Sequence, residues 1–226
     1  HPKIGCFYEV FNQRRISASQ GASMGLTEEE NTLSWKSKNV PECFRRMWNS
    51  GYNDRIGFKI FLSQLPEAID HTMKDRSVGK ILLQRNNILR QYVSLKIAER
   101  DANWVIQNAA PKKPLPIDVN IQEFTEYAKG IRRQYQSAKA LLVASHQQFL
   151  EIMYEDIVGS SQQDAISKIC AFLGLENKQV LEPIVEKQNP WPLDAIVSNF
   201  LELEEELKGS EFESMLYGDE FAYASS

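Results

Sequence analysis

The chain has 226 residues, 26 Lys plus Arg against 30 Asp plus Glu, a formal net charge of −4, and 42% hydrophobic and 10% aromatic residues. That balance excludes a disordered or fibrous chain and argues against a general nucleic-acid binder, which needs a basic face. No run approaches the roughly 18 apolar residues that span a bilayer, and the start HPKIGCFYEV lacks the basic, apolar, small-residue order of a secretory leader. A cytoplasmic protein without a membrane span is expected. At this length one fold buries roughly 70% of the surface its unfolded chain exposes, so no staple is needed and a single domain over 1–226 is expected. Cys6, Cys43 and Cys170 are odd in number and widely spaced. They suit neither a disulfide framework nor a CxxC metal site and read as small buried hydrophobes in a reducing compartment.

Short apolar runs alternate with longer amphipathic ones along the chain, which is the α/β signature. Residues 3–10 form a weak strand candidate. Residues 13–38 are polar, rich in Ser and Glu and poor in β-branched residues, and read as a mobile loop or lid beside the first strand end. Residues 55–62 (RIGFKIFL) and 79–84 (GKILLQ) are nearly continuous apolar runs, as parallel strands covered on both faces should be. Lys59 interrupts the first of them. Residues 87–103 carry Ile88, Leu89, Tyr92 and Val93 at helical spacing. Pro111, Pro114 and Pro116 then forbid a regular helix and predict an extended surface loop. A second long helix is predicted over 121–145 and a strand over 149–154 (FLEIMY). Helices over 161–173, with Gly174 as a stop, and over 193–207, ending at Gly209, complete the chain.

Chemistry concentrates at GKILLQRNNILRQYVSLKIA, where a strand ends in Arg85 and passes straight into a helix. Such junctions build anion sites, because a helix start offers unpaired N–H groups and a positive dipole. Ser94 follows two turns further along. The alternative for these residues is an Arg paired with a neighbouring carboxylate and a Ser on a packed face. Lys59 is a charge inside an apolar run, where burial without a partner is costly, so it should emerge at the strand's C-terminal end. There it suits the role of stabilising charge that develops in a loose in-line transfer, or that of a structural ion pair.

LLQRNNILRQYVSL resembles the 3′-phosphate-binding segment of sulfotransferases that use 3′-phosphoadenosine 5′-phosphosulfate (PAPS). FLEIMYEDIVGSSQQDAISKICAFLGLE resembles that family's strand with a Tyr-Glu-Asp motif and the helix after it. EKQNPWPLDAIVSNFLELEEELKGSEFESML resembles its C-terminal Lys segment, and HPKIGCFYEVFN resembles the piece that follows its phosphosulfate loop. The resemblance covers most of the chain in the family's order. It implies a three-layer, doubly wound, mainly parallel sheet flanked by helices, of the P-loop nucleotide-binding kind, with the first strand and phosphosulfate loop expected upstream of residue 1.

The same resemblance implies that Arg85 and Ser94 bind the 3′-phosphate, Tyr154 lies against the adenine, and Lys187 approaches the 3′-phosphate from a C-terminal loop. It implies that Glu9 takes the proton from the acceptor hydroxyl, since a neutral hydroxyl is a poor nucleophile. His71 is the alternative base. No His, Cys and carboxylate cluster stands at ligand spacing, so no metal is expected.

The leading expectation is therefore a PAPS-dependent sulfotransferase acting on a hydroxyl of a carbohydrate, lipid or small metabolite. Residues 13–38 and 104–118, with Trp104 as a stacking or core residue, are the expected acceptor loops. Two alternatives stay open. A noncatalytic nucleotide-binding or interaction module of the same fold fits a chain in which no GxxxxGK[ST]-like stretch occurs. A P-loop phosphotransferase shares the architecture but calls for a Walker A lysine and a magnesium site, which are not evident.

Overall fold

The computed structural model describes residues 3–12, 18–51, 54–102, 104, 113–158, 161–176 and 190–217. The chain forms two compact units, His1–Lys80 with Ser137–Phe149, and Ile81–Gln136 with Leu150–Ser226. It is an α/β protein with two small parallel sheets among the described residues. No helix among them is long and apolar enough to cross a membrane.

In the first unit, β1 (Ile4–Cys6) pairs in parallel with β2 (Arg55–Gly57), in the register Ile4↔Arg55, Gly5↔Ile56 and Cys6↔Gly57. The strand expected over 55–62 is thus shorter. Beyond Gly57 the Lys59 amide still donates to the Tyr8 carbonyl at 2.7 Å, and Phe61 and Gln64 then close a turn, the Gln64 amide donating to the Phe61 carbonyl at 2.9 Å and the Gln64 side chain accepting from the Phe61 amide at 3.2 Å.

The segment expected to be a mobile loop or lid contains two helices, α1 (Ala18–Ser23) and α2 (Leu33–Lys38). Thr32 caps α2 by accepting from the Trp35 amide at 3.2 Å. Met24 and Leu26 are buried in the same core as Phe11, Phe44 and Met47. Core contacts, invisible to local composition, override the polar character of this stretch. Two helices, α3 (Val40–Trp48) and α4 (Pro66–Lys74), complete that core. Cys43 is buried as expected, whereas Cys6 is exposed and accepts from the Tyr8 amide at 3.4 Å.

Arg46 of α3 fastens the 13–38 segment, donating to Glu30 at 2.8 and 2.9 Å and to Glu42 at 2.8 Å. Hydrogen bonds from Arg45 and Arg46 hold the Glu42 carboxyl down at about 2, against an ordinary value of 4.5. Arg46 and the Thr27 amide likewise lower that of Glu30. Carboxyls depressed in the folded state contribute stability that is present above pH 4.5 and is lost as pH falls toward about 2. The thermal midpoint of the native chain should therefore drop over that window, and that of Arg46→Gln should drop less. Parallel curves for the two proteins would contradict this assignment.

β3 (Lys80–Gln84) and β4 (Phe149–Met153), which belong to the second unit from Ile81 and Leu150 onward, are hydrogen-bonded neighbours. β3 buries one face only, with Leu82 covered but Ile81 and Leu83 exposed, so the expected two-sided coverage of this strand is not observed. The long periodic stretches become α5 (Ile88–Asp101) and α6 (Ile121–Ala144). Leu89 and Val93 of α5 pack with Phe124 of α6, whose ring stands edge-on to Tyr92 and Phe212. β4 runs into α7 (Tyr154–Val158), and α8 (Gln162–Phe172) ends where Gly174 adopts φ +65°, letting the Leu175 amide return to the Cys170 carbonyl at 2.8 Å.

The helix expected over 193–207 is broken into a 3₁₀ turn, Leu193–Ala195, and α9 (Phe200–Leu207). A parallel bridge between Ile117 and Val197 takes the intervening backbone, with Ile117 donating to Ile196 at 3.0 Å and Ser198 to Ile117 at 2.9 Å. The Asn199 side chain brackets Val119, accepting from its amide at 2.9 Å and donating to its carbonyl at 3.0 Å. The described part of the Pro-rich loop is therefore extended, as expected, and backbone pairing to it replaces a turn of helix.

Candidate functional site

Each unit holds one cluster of the residues singled out in the sequence. In the first, the sheet register decides which side chains meet. The ladder continues beyond the strands, Phe7 donating to Gly57 at 2.8 Å and Lys59 to the Tyr8 carbonyl at 2.7 Å, so Glu9 emerges beside Lys59. Their side chains form an ion pair at 2.8 Å, with 27% of the Glu9 side chain and 57% of the Lys59 side chain exposed. Lys59 leaves the sheet at the strand's C-terminal end, as expected, and its ammonium also lies 4.3 Å above the ring of Phe61.

The Asn12 side-chain amide donates to the other Glu9 oxygen at 2.5 Å, and the Asn12 amide donates to the Glu9 carbonyl at 3.2 Å, closing a turn. Tyr8, just before it, has φ +50° and an exposed side chain. A left-handed backbone at a non-glycine residue is strained by about 1–3 kcal/mol and persists only where its surroundings over-determine it. A carboxylate offers about four lone-pair positions. Lys59 and Asn12 each take one, which leaves Glu9 able to accept from a hydroxyl.

His71, the alternative base, is half-buried on α4 with its ring edge-on to Phe44 at 4.6 Å between centroids. It is a packed residue and not the solvated surface histidine its position suggests.

In the second unit, Arg85 is the first residue past β3 and Tyr154 the first past β4, and the neighbouring strands bring them together. The guanidinium lies 4.7 Å over the Tyr154 ring, a cation–π contact between two residues expected to serve one nucleotide. Both are half-buried.

The start of α5 differs from the expected open anion site. The Glu155 carboxylate accepts from the Asn86 amide at 3.0 and 3.2 Å and from the Asn87 amide at 3.3 Å. Asn87 caps the helix by accepting from the Arg90 amide at 2.9 Å, and the Ile88 amide donates to the Asn86 carbonyl at 3.1 Å. These N–H groups are satisfied from within, so the helix start does not present the open anion site expected of it. Ser94 is half-buried on the second turn of α5, about 9 Å of helical rise beyond Ile88, and so does not share a turn with Arg85. Lys187 lies outside the described residues, and Trp104 is exposed.

Sequence reasoning missed Asn12 and Glu155. The signal for Glu155 was its place directly after a strand, beside the Tyr assigned to the nucleotide; Asn12 offered none. Among the described residues no group of three or more His, Cys, Asp or Glu could hold a metal ion. Compared with known proteins, the chain matches no family model, no curated protein and no solved structure.

Proposed function

We propose that this chain is a PAPS-dependent sulfotransferase domain, with a three-layer, doubly wound sheet of the P-loop kind. The observation that carries the reading is the convergence of Arg85 and Tyr154 at the ends of adjacent parallel strands. A guanidinium beside an aromatic ring suits a nucleotide that carries both a phosphate and a base. Arg85 would hold the 3′-phosphate and Tyr154 the adenine, with Lys187 as a further phosphate ligand.

In the first unit Glu9 is the base and Lys59 the stabilising cation. The acceptor hydroxyl gives its proton to the Glu9 carboxylate as its oxygen bonds to sulfur; the bond from sulfur to the 5′-phosphate oxygen breaks, and adenosine 3′,5′-bisphosphate leaves. The Lys59 ammonium, already 2.8 Å from Glu9, offsets negative charge that develops during the transfer. The acceptor class is a carbohydrate, lipid or small-metabolite hydroxyl. Buried thiols at Cys43 and Cys170 agree with the reducing, cytoplasmic setting that forms part of this proposal.

The test is transfer of radiolabelled sulfonate from PAPS to a panel of sugars, sterols and phenols by the full-length protein. Labelled product is the expected result. Nucleotide binding without product from any acceptor would favour the noncatalytic module, and labelled product when γ-labelled ATP replaces PAPS would favour a phosphotransferase.

A further inference from the structure

A buried ammonium lies behind the turn that presents Glu9. Lys36 of α2 is 1% exposed, and its Nζ donates to the Val10 carbonyl at 3.1 Å. Val10 and Phe11 are the central residues of the Glu9-to-Asn12 turn and are themselves buried. Among the described residues no carboxylate pairs with Lys36, and burial pushes its pKa down. The thiol of Cys43 nearby is pushed up to about 11, chiefly by burial, so it carries no compensating charge at neutral pH.

An ammonium without a counter-ion is a costly occupant of a core, where Met would pack at similar volume without that penalty. The hydrogen bond it makes there goes to the middle carbonyl of this one turn, and charge-assisted bonds of this kind are about twice as strong as neutral ones. The turn needs holding, because it follows directly on the left-handed backbone of Tyr8.

We propose that Lys36 is a positioning residue that fixes the Val10 carbonyl and thereby keeps the Glu9 carboxylate against Lys59. Its value for catalysis rests on the reading of Glu9 as the base; the clamp itself does not. The test compares the full chain with its Lys36→Met variant by NMR amide exchange at Asn12 and Lys59, whose N–H groups close the turn and the ladder beside it. Exchange at both should speed up tenfold or more in a variant whose thermal midpoint is unchanged or higher. Exchange at Asn49, which donates to Arg45 on α3, should stay as it is.

In the sulfonate-transfer assay the same variant should lose about tenfold in kcat with the KM for PAPS unchanged. Unaltered exchange at Asn12 and Lys59 in the folded variant would overturn the proposal. So would an Asn12 amide that already exchanges at the free-peptide rate in the unsubstituted protein, a result that requires no variant. Absence of any sulfonate transfer would defeat the function proposed above, while the exchange rates would still decide the clamp.

Discussion

Glu9→Gln is expected to lower the turnover of sulfonate transfer by about 10²-fold or more while leaving nucleotide affinity unchanged. Gln keeps the volume of Glu and a carbonyl oxygen that can accept from Asn12, but it cannot take up a proton. The fold should tolerate the change, because an ion pair with more than half of one side chain exposed adds at most about 1 kcal/mol. Lys59→Met provides the complementary loss: Glu9 stays able to accept a proton, but the cation is gone. Full turnover in Glu9→Gln would move the base elsewhere, and His71, the titratable ring packed on Phe44 in the same unit, would be varied next.

Arg85→Ala should abolish most of the stabilisation that adenosine 3′,5′-bisphosphate confers. A ligand at 100 times its Kd stabilises the native state by about 2.7 kcal/mol. Removing the guanidinium takes away both the charge opposite the phosphate and the partner of the Tyr154 ring. Arg85→Lys retains the charge but not the planar fork or the stack, so it should recover only part of the shift. The start of α5 cannot compensate, because Glu155 already occupies the amides of Asn86 and Asn87. A shift of unchanged size in Arg85→Ala would show that the nucleotide, if bound, sits elsewhere.

The long elements were legible because their signal is local. Apolar residues at three- and four-residue steps predict helices over 87–103 and 121–145, and the structure has Ile88–Asp101 and Ile121–Ala144. A nearly continuous apolar run similarly predicts a strand over 79–84, found at Lys80–Gln84, and the strand predicted over 149–154 is found at Phe149–Met153.

What composition and periodicity could not supply is pairing across the chain. The break at 196–199 comes from backbone bonds to Ile117 and from the Asn199 side chain on Val119, both about 80 residues away. Burial of Met24 and Leu26 turns a polar stretch into part of a core. At the candidate sites, Lys59 was readable as a charge inside an apolar run, and Glu9 came from the resemblance of its segment. Their meeting depends on the β1–β2 register, which no periodicity encodes. The Arg85 junction was readable as an anion site, yet Glu155, 69 residues beyond Asn86, fills the donors on which that reading relied.

The central claim is that the Arg85 guanidinium recognises a phosphate on the 3′ position of an adenine nucleotide. Calorimetric titration of the full-length protein with adenosine 3′,5′-bisphosphate and, separately, with adenosine 5′-phosphate tests it most directly. The bisphosphate should bind at least about tenfold more tightly, the factor that about 1.5 kcal/mol of charge-assisted bonding provides, and Arg85→Ala should erase the difference. Equal affinity for the two nucleotides, binding of neither, or a preference that survives Arg85→Ala would contradict the claim.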